Sequence, residues 1–387
     1  MYNFKKKTRR KLNYFGIDRT TLNGITVKNI NTKVLLSAID SYDRNTINLE
    51  YTTAETPLQI NKDNYIKSIF INFNGAVVNT KYTRIGFSGS YTVDTKLQLQ
   101  INPNSYNLKP LTIEEYRQRV ADIFTDIEYI FGIEYNYSSA VFTKIELNKT
   151  FTIEKEFKSY KTALNLLYSN IPPNRFSNNE LKLAEWSSIN SSQNTKNKET
   201  MQVKSKRRTL KTYDKVKQLI DVFGQNNIDK RLLELNHKVM RFEYTITDKE
   251  ILKKYLTTNA VFDEHITDKA LKTLFDEFIE KDILNPYYKW RKQNTQNLID
   301  LINDCKAVSQ HWRLELIRRC RAYDNLHNIP LLVDVNDLKG ALLVTEKSTR
   351  TAIIKLNKFK ALIGREREFN RTGNTALLTE VINKLKS

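Results

Sequence analysis

Alternating apolar and polar positions dominate the region that follows residue 11 and predict β-strands. In one such stretch, Ile66, Ile69, Ile71 and Phe73 precede Asn74-Gly75, which is a strong signal for a two-residue hairpin turn. Further strands are predicted at 76–78, 85–87, 97–101, 140–153 and 239–246. An antiparallel sheet is therefore expected.

Helical spacing appears between these strands. Thr112 and Glu115 form a capping-box pattern that opens a helix over 112–131, and Gly132 supplies its C-terminal stop. Shorter helices are predicted over about 156–168 and over 216–223, the latter closed by Gly224. A second capping-box pattern, Thr247-Asp248-Lys249-Glu250, opens another helix after the last predicted strand.

The pattern changes near residue 247, and most of the chain beyond that point has helical spacing. This predicts an α+β fold: an antiparallel-sheet domain over residues 1–248 and a mostly helical C-terminal domain over 249–387. Two helical patterns, 337–343 and 348–359, have the spacing of a helix-turn-helix. Its second helix would offer Thr349, Arg350 and Lys355 to DNA, and a plain helical pair is the alternative.

The net charge of the chain indicates which class of partner it binds. Sixty-three Lys and Arg against 43 Asp and Glu give a formal net charge of +20, which indicates nucleic acid or an anionic membrane. No apolar run approaches the ~18 residues of a membrane span, so DNA is the expected partner and a membrane is not. The basic N-terminus lacks an apolar segment typical of a secretory signal, and two cysteines without a disulfide or zinc pattern suit the cytoplasm.

Several classes of site lack their motifs in the sequence. There is no Gly-rich loop ending in Gly-Lys-Ser/Thr, which argues against nucleotide hydrolysis. There is also no His-x-x-x-His or Cys-x-x-Cys spacing, and the four histidines are scattered. Ionisable groups on the predicted strands are the remaining candidates.

One tyrosine lies at the end of a short alternating segment behind a group of cations. Tyr213 is followed by Asp214 and Lys215. Between residues 196 and 217 only two acidic residues accompany nine basic ones, which are Lys196, Lys198, Lys204, Lys206, Arg207, Arg208, Lys211, Lys215 and Lys217. Because a free phenol has a pKa of about 10, such cations are expected to favour the phenolate and to hold a phosphodiester. Tyr213 is therefore a candidate nucleophile for DNA strand transfer, and a strand-edge tyrosine beside a solvated basic face is the alternative.

Two glutamates occupy the centres of predicted strands, Glu146 on one and Glu243 on another. If they face solvent, they carry no function. If neighbouring strands bring them together, they form an oxygen-rich site for Mg²⁺ or Mn²⁺, which would polarise a scissile phosphate. Lys144 and Arg241 each precede a glutamate by two positions, so each shares a strand face with it and could contact phosphate.

Three separated segments resemble a known family. They are Lys144-Ile145-Glu146-Leu147, residues 208–215 with Tyr213-Asp214-Lys215, and Val239-Met240-Arg241-Phe242-Glu243. Their order and approximate spacing are similar to those of the filamentous-phage gene II replication initiators and of rolling-circle plasmid initiators. The resemblance covers about residues 65 to 250, and it departs from the family pattern at Lys144, where arginine is usual, and at Glu146, where aspartate is usual.

The resemblance implies an endonuclease that nicks the double-stranded origin. Its tyrosine would become joined to the 5′ phosphate and leave a 3′ hydroxyl to prime synthesis, and a later transesterification would close the displaced strand. Tyr213 falls at the nucleophile position, with Lys215 beside it, and Glu146 and Glu243 fall at acidic positions. DNA contacts are expected from Lys144, Lys206, Arg207, Arg208, Lys211 and Arg241.

The partners expected on this interpretation are single- and double-stranded origin DNA, a second copy of the chain and a host helicase. A regulator that binds DNA without cutting it is the main alternative. A relaxase for conjugative mobilisation is a closer alternative, but its usual histidine cluster is missing from the sequence.

Overall fold

The structure is a computed structural model. The residues it describes are 12–52, 59–61, 64–85, 90–100, 109–169, 171, 185–187, 200–204, 207–228, 230–316, 318–319, 335–363 and 375–387. Lys206 and most of the strand predicted at 85–87 lie outside the described residues.

One antiparallel sheet, with strands of different lengths, lies at the centre of the described part of the chain. It contains twelve strands, and the order along its main path is β2-β4-β5-β6-β1-β8-β12-β11-β10-β9, while β3 pairs with β4 and β7 pairs with β1. The strands are β1 Asn13–Ile30, β2 Ile47–Thr52, β3 Gln59–Asn61, β4 Asn64–Phe73, β5 Ala76–Ile85, β6 Ser90–Gln100, β7 Ile133–Asn136, β8 Val141–Thr152, β9 Glu185–Ser187, β10 Thr200–Lys204, β11 Arg208–Asp214 and β12 Val239–Ile246. The predicted α+β class with an antiparallel sheet is confirmed.

The helices are α1 Thr32–Ser41, α2 Ile113–Phe131, α3 Lys161–Ser169, α4 Lys215–Phe223, α5 Lys230–Leu233, α6 Lys249–Leu256, α7 Asp268–Ile279, α8 Asn285–Val308, α9 Val335–Thr345, α10 Thr349–Ile363 and α11 Thr375–Lys386. A π-helical segment, Glu280–Leu284, joins α7 to α8, and a 3₁₀ turn, Phe157–Tyr160, precedes α3. None of the helices in the described part of the chain combines the length and apolar character that a membrane crossing requires.

Local signals fix several of these boundaries. Asn74 and Gly75 both have positive φ, 49° and 78°, and form the predicted turn between β4 and β5. The capping box predicted at Thr112 is present, and Gly132 ends α2 in the left-handed conformation. The second predicted capping box is not formed as expected, because Asp248 rather than Thr247 caps α6.

The two faces of the sheet around β8 and β12 differ in polarity because alternate side chains point to opposite sides. On one face, Leu147 and Phe151 of β8 and Phe242 and Tyr244 of β12 are fully buried. They belong to one hydrophobic core that extends from the central strands to residues of α6, α7, the start of α8 and α11. Helices therefore cover the mainly apolar face, and the opposite face carries Glu146 and Asn148 of β8, Tyr213 of β11, and Arg241 and Glu243 of β12.

The boundary expected between residues 248 and 249 does not separate two cores. Leu252, Leu274 and Leu385 all belong to the core of the sheet. A second core begins only within α8, where Leu298 and Ile302 pack with residues of α9 and α10. The helical part of the chain is thus divided between the sheet and this smaller cluster.

Helices α9 and α10 form the helical pair that the sequence predicted. Lys355 of α10 is half-buried, and its amine lies 2.6 Å from Glu346 and 5.7 Å from the centre of the Trp312 ring. Thr349 and Arg350 are exposed. Of the three side chains that a helix-turn-helix would offer to DNA, Lys355 is therefore already paired with Glu346 at the edge of the small core.

A buried lysine joins the central sheet to α11. Lys149 projects from β8 into the helix-covered face and is 1% exposed. Its amine donates a hydrogen bond of 3.1 Å to the carbonyl oxygen of Leu385, near the C-terminal end of α11, where the helix dipole favours a cation. Burial lowers the pKa of Lys149 to about 8.

A second buried polar contact joins β11 to the π-helical segment. Arg208 donates a 2.9 Å hydrogen bond to Asp282, and the Tyr244 hydroxyl donates a 2.6 Å hydrogen bond to the same carboxylate oxygen. The Asp282 side chain is 1% exposed. Arg208 therefore serves the packing of the sheet against α7 and α8.

We expect Arg208→Ala to lower the free energy of unfolding by about 3 kcal/mol, because it removes a cation from beside a buried carboxylate. Arg207→Ala is the matched control, since the Arg207 side chain is 71% exposed and pairs with Asp248 at the surface. Urea denaturation of both variants measures the difference. Equal losses of stability would contradict the structural assignment of Arg208.

Candidate active site

The pairing of three strands collects the predicted site residues on the polar face. Residues opposite one another on antiparallel strands share a face, and Tyr213 of β11 lies opposite Arg241 of β12. Lys211 lies opposite Glu243 in the next row. Glu146 of β8 lies opposite Thr245, so it is diagonal to Glu243. Two carboxylates from neighbouring strands therefore lie on the same face as Tyr213, as the sequence predicted.

A β-bulge adds a third carboxylate that the sequence analysis did not identify. Ile17 of β1 lies opposite Leu147, but Arg19 lies opposite Glu146, so Asp18 is an extra residue on the bulged strand. A bulge of this kind redirects side chains and is common beside active sites. It brings Asp18 to the face that carries Glu146. Two successive charged residues within an alternating segment were the only sequence signal.

The three carboxylates form a cluster that could hold a metal ion. Asp18, Glu146 and Glu243 each contribute an oxygen to a group whose atoms all lie within 4.8 Å of one another. Glu146 and Glu243 are 4% and 5% exposed. Burial, with the negative charges of Glu243 and Asp18, raises the pKa of Glu146 to about 7. This mutual repulsion is what a bound cation would relieve, and oxygen-only ligands suit a hard divalent ion.

The hydroxyl of Tyr213 donates a hydrogen bond to Glu243 within this cluster. Tyr213 is 6% exposed. Burial and the charge of Glu243 raise its pKa well above the usual value, and Arg241 opposes this only in part. The expectation that neighbouring cations yield a phenolate is therefore wrong for this arrangement. The phenol keeps its proton and already has an acceptor for it.

Arg241 occupies the centre of the site and is 3% exposed. Its Nε donates a 2.7 Å hydrogen bond to the Thr150 hydroxyl, and one of its terminal nitrogens lies 3.1 Å from Asp18 and 4.0 Å from Glu243. The guanidinium thus balances part of the negative charge of the carboxylates. This position differs from a solvent-facing phosphate contact, because the side chain is enclosed by the residues it binds.

The strand that carries Tyr213 ends one residue later, where helix α4 begins. The Asp214 side chain caps α4 by accepting hydrogen bonds from the backbone amides of Val216 and Lys217, at 3.0 and 3.1 Å. Lys215 is therefore the first helical residue, and its amine lies 5.9 Å from the centre of the Tyr213 ring. Burial, with the neighbouring charge of Arg241, lowers the pKa of Lys215 to about 7. The amine can exchange a proton near neutral pH.

A small apolar cluster encloses one end of the polar face. Val216 and Leu219 of α4 pack with Leu232 of α5, and with Leu12 and Val239 from the strand side. Val239 lies two positions before Arg241 on β12, so this packing adjoins the site directly. Lys215, which precedes Val216 in the chain, is 5% exposed.

Cations surround the other side of the carboxylates. Arg19 is exposed and Lys144 and Lys211 are half-buried, and all three share the face of Glu146 and Glu243 through their strand register. Arg19 was not predicted. Arg207 is exposed at the start of this region and pairs with Asp248 at 3.2 Å.

Not every predicted DNA contact belongs to this face. Arg208 lies on the helix-covered face with Asp282 and is outside the site. Lys206 lies outside the described residues. Of the predicted basic residues, Lys144, Lys211 and Arg241 adjoin the carboxylates directly.

The raised pKa of Glu146 predicts a dependence of stability on pH. Because the folded protein holds this proton more tightly, the stability that Glu146 contributes is full below its unfolded pKa of 4.5 and is lost as the pH rises through about 7. The difference corresponds to about 3 kcal/mol at about 1.4 kcal/mol per pKa unit. Glu146→Gln cannot ionise, so we expect it to gain this much relative to the wild type between pH 4.5 and 8 without divalent ions. Urea denaturation measures both proteins across that range, and a pH-independent difference would contradict the assignment.

A divalent cation is expected to stabilise the wild-type protein. At an ion concentration about 100 times the dissociation constant, the expected gain is about 2.7 kcal/mol. Thermal unfolding with increasing Mn²⁺ measures it, and Glu146→Gln is expected to reduce the gain strongly. Glu250→Gln is the control, because Glu250 is an exposed carboxylate on α6. An equal response of all three proteins would show that the cluster does not bind the ion.

Comparisons of the chain with protein-family models, curated proteins and solved structures found no match. The function of the site is therefore inferred from the chemistry of its own side chains. These are one phenol, three carboxylates and the cations around them.

Proposed function

We propose that the protein is a rolling-circle replication initiator that nicks and rejoins origin DNA through a covalent 5′-phosphotyrosine. The observation that carries this proposal is the Tyr213 hydroxyl, which donates to Glu243 inside a cluster of three carboxylates. A phenol with a proton acceptor in contact is the arrangement that nucleophilic attack requires. The cations around the cluster supply a surface for the DNA backbone.

In the first step, the Tyr213 oxygen bonds to phosphorus and its proton passes to the Glu243 carboxylate. The bond from phosphorus to the 3′ oxygen breaks, which leaves the DNA with a free 3′ end and the protein joined to the 5′ phosphate. The raised pKa of Tyr213 makes this transfer to Glu243 necessary, because a phenolate is not formed beforehand.

Lys215 is the proposed proton donor to the departing 3′ oxygen. Its pKa of about 7 means that it holds a proton in a substantial fraction of molecules near neutral pH and can release it. Its place at the start of α4 puts the amine 5.9 Å from the centre of the Tyr213 ring. In the rejoining step the same groups act in the opposite direction.

The proposed ligands of Mg²⁺ or Mn²⁺ are Asp18, Glu146 and the second oxygen of Glu243, which does not accept the Tyr213 proton. When bound, such an ion would polarise the phosphate and offset the negative charge that develops on it. Arg241 balances the charge of Asp18 and Glu243 from the protein side. Arg19, Lys144 and Lys211 are the proposed contacts to the phosphates that flank the nick.

The test is the incubation of wild-type protein and Tyr213→Phe with supercoiled DNA of the genetic element that encodes the protein, in the presence of Mg²⁺. We expect the wild type to open the circles and to remain attached to a 5′ end, and mass spectrometry of the adduct is expected to identify Tyr213. Loss of the hydroxyl removes the bond-forming atom, so we expect Tyr213→Phe to form no adduct.

Tyr168→Phe is the matched control for that experiment. Tyr168 is 2% exposed, and its hydroxyl lies 2.5 Å from the Thr212 hydroxyl on the helix-covered face of β11. The same atom is removed from a buried tyrosine, but outside the site, and nicking is expected to persist. An adduct formed by Tyr213→Phe would disprove the proposed nucleophile.

One observation favours a second function, which is DNA binding without cleavage. Tyr213 is only 6% exposed and has a strongly raised pKa, as a structural tyrosine in a buried network would be. A regulator of this kind would use Arg19, Lys144 and Lys211 for binding. It predicts retention of a specific duplex by the wild type with no nick in any divalent ion.

A further inference from the structure

A buried asparagine lies among the proposed catalytic residues. Asn148 of β8 lies opposite Glu243 on β12 and two residues along the strand from Glu146, so it shares the polar face with both. It is 0% exposed. On its other side, the register partner on β1 is Gly16, which has no side chain. The amide group is therefore enclosed in the centre of the site.

Only one end of this amide has a hydrogen-bond partner. The Arg241 Nε donates to the Thr150 hydroxyl at 2.7 Å, and that hydroxyl donates to the Asn148 carbonyl oxygen at 3.2 Å. This chain of hydrogen bonds fixes the orientation of the amide. No residue of the described part of the chain accepts a hydrogen bond from the Asn148 nitrogen. A buried donor left in this state lowers stability by about 1–3 kcal/mol.

The adjacent carboxylates do not serve as its acceptors. Glu243 accepts from Tyr213, and Glu146 accepts from the Thr245 hydroxyl at 3.0 Å. On the other side of Tyr213, Thr200 of β10 is 5% exposed, and its hydroxyl also has no partner among the described residues. Buried polar atoms without partners thus lie on both sides of the pair formed by Tyr213 and Glu243. Such atoms indicate a polar ligand at this place.

We propose that Asn148 is a catalytic residue whose amide nitrogen donates a hydrogen bond to a non-bridging oxygen of the scissile phosphate. This inference rests on the proposed function. A phosphate attacked by Tyr213 must approach a cluster of carboxylates that repels it, and a donor is needed there. A neutral amide supplies this hydrogen-bond donor. A lysine would supply it too, but its charge would compete with a metal ion for the carboxylates.

The chemical contribution follows from the movement of charge. As the bond from the Tyr213 oxygen to phosphorus forms and the bond to the 3′ oxygen breaks, negative charge accumulates on the non-bridging oxygens. A donor already fixed by Thr150 and Arg241 stabilises this charge without reorganisation. Removal of one donor of this type slows the chemical step by about 10²–10³-fold in enzymes.

The test uses a single-stranded oligonucleotide that contains the nick site mapped with the wild-type protein. Under single-turnover conditions we expect Asn148→Ala to cleave it about 100-fold more slowly, with affinity for Mn²⁺ within about twofold of the wild type. Asn79→Ala is the matched control, because Asn79 is a strand asparagine of β5 whose side-chain oxygen also has no partner among the described residues. Asn79→Ala is expected to cleave at the wild-type rate.

Phosphorothioate substrates distinguish a contact to phosphate from a structural effect. Sulfur at one non-bridging position weakens the acceptor, so we expect the wild type in Mn²⁺ to cleave one diastereomer more slowly than the other. Asn148→Ala is expected to lose this discrimination. Asn148→Leu keeps a similar volume but has no donor, and it provides the same comparison if the alanine variant does not fold.

The outcomes separate the two proposals. A wild-type protein that forms no adduct overturns the proposed function and this inference with it. A wild type that cleaves, while Asn148→Ala or Asn148→Leu retains its rate or its full discrimination between diastereomers, overturns the role of Asn148 alone. Equal rates of the wild type on both diastereomers also overturn that role.

Discussion

The register between β8 and β12 is the constraint on which the site depends. The pairing that places Glu146, Glu243 and Arg241 on one face places Leu147 and Phe242 on the other. A slip of one residue would expose the apolar set and bury the charges under the helices. Packing of α7, α8 and α11 against the apolar face therefore holds the carboxylates together, although they repel one another.

The same burial brings the pKa values of an acidic and a basic group close together. The pKa of Glu146 rises to about 7 and that of Lys215 falls to about 7, because burial disfavours the charged form of each. Groups with converging pKa values exchange protons near neutral pH with small free-energy changes. Perturbed values of this kind cluster at functional sites. These shifts are consistent with the proton transfers of the proposed mechanism.

Much of the site was predictable from strand periodicity alone. Lys144 and Glu146, and Arg241 and Glu243, are two positions apart, so each pair had to share a face. The same rule places Arg208, which is five positions from Tyr213, on the opposite face. The prediction of Arg208 as a DNA contact relied on the density of positive charge and did not apply this parity.

Asp18 and the phenol pKa could not be predicted in this way. A bulge breaks the alternation that makes parity informative, so Asp18 reaches the site only through a local irregularity of β1. The pKa of Tyr213 depends on burial and on Glu243, which is 30 residues away in sequence, rather than on the cations beside it. The packing of α11 against the core of the sheet is likewise a long-range contact. The pattern of residues near position 248 does not reveal it.

The hydrogen bond from Lys149 to Leu385 has a consequence for synthesis of the protein. Lys149 belongs to the strand that carries Glu146 and Asn148, and its partner lies 236 residues later. Until α11 has left the ribosome, the back of that strand lacks part of its cover, and closing so long a loop is slow. A nascent chain therefore completes the cover of the apolar face behind Glu146 and Asn148 only after residues 377–385 have been made.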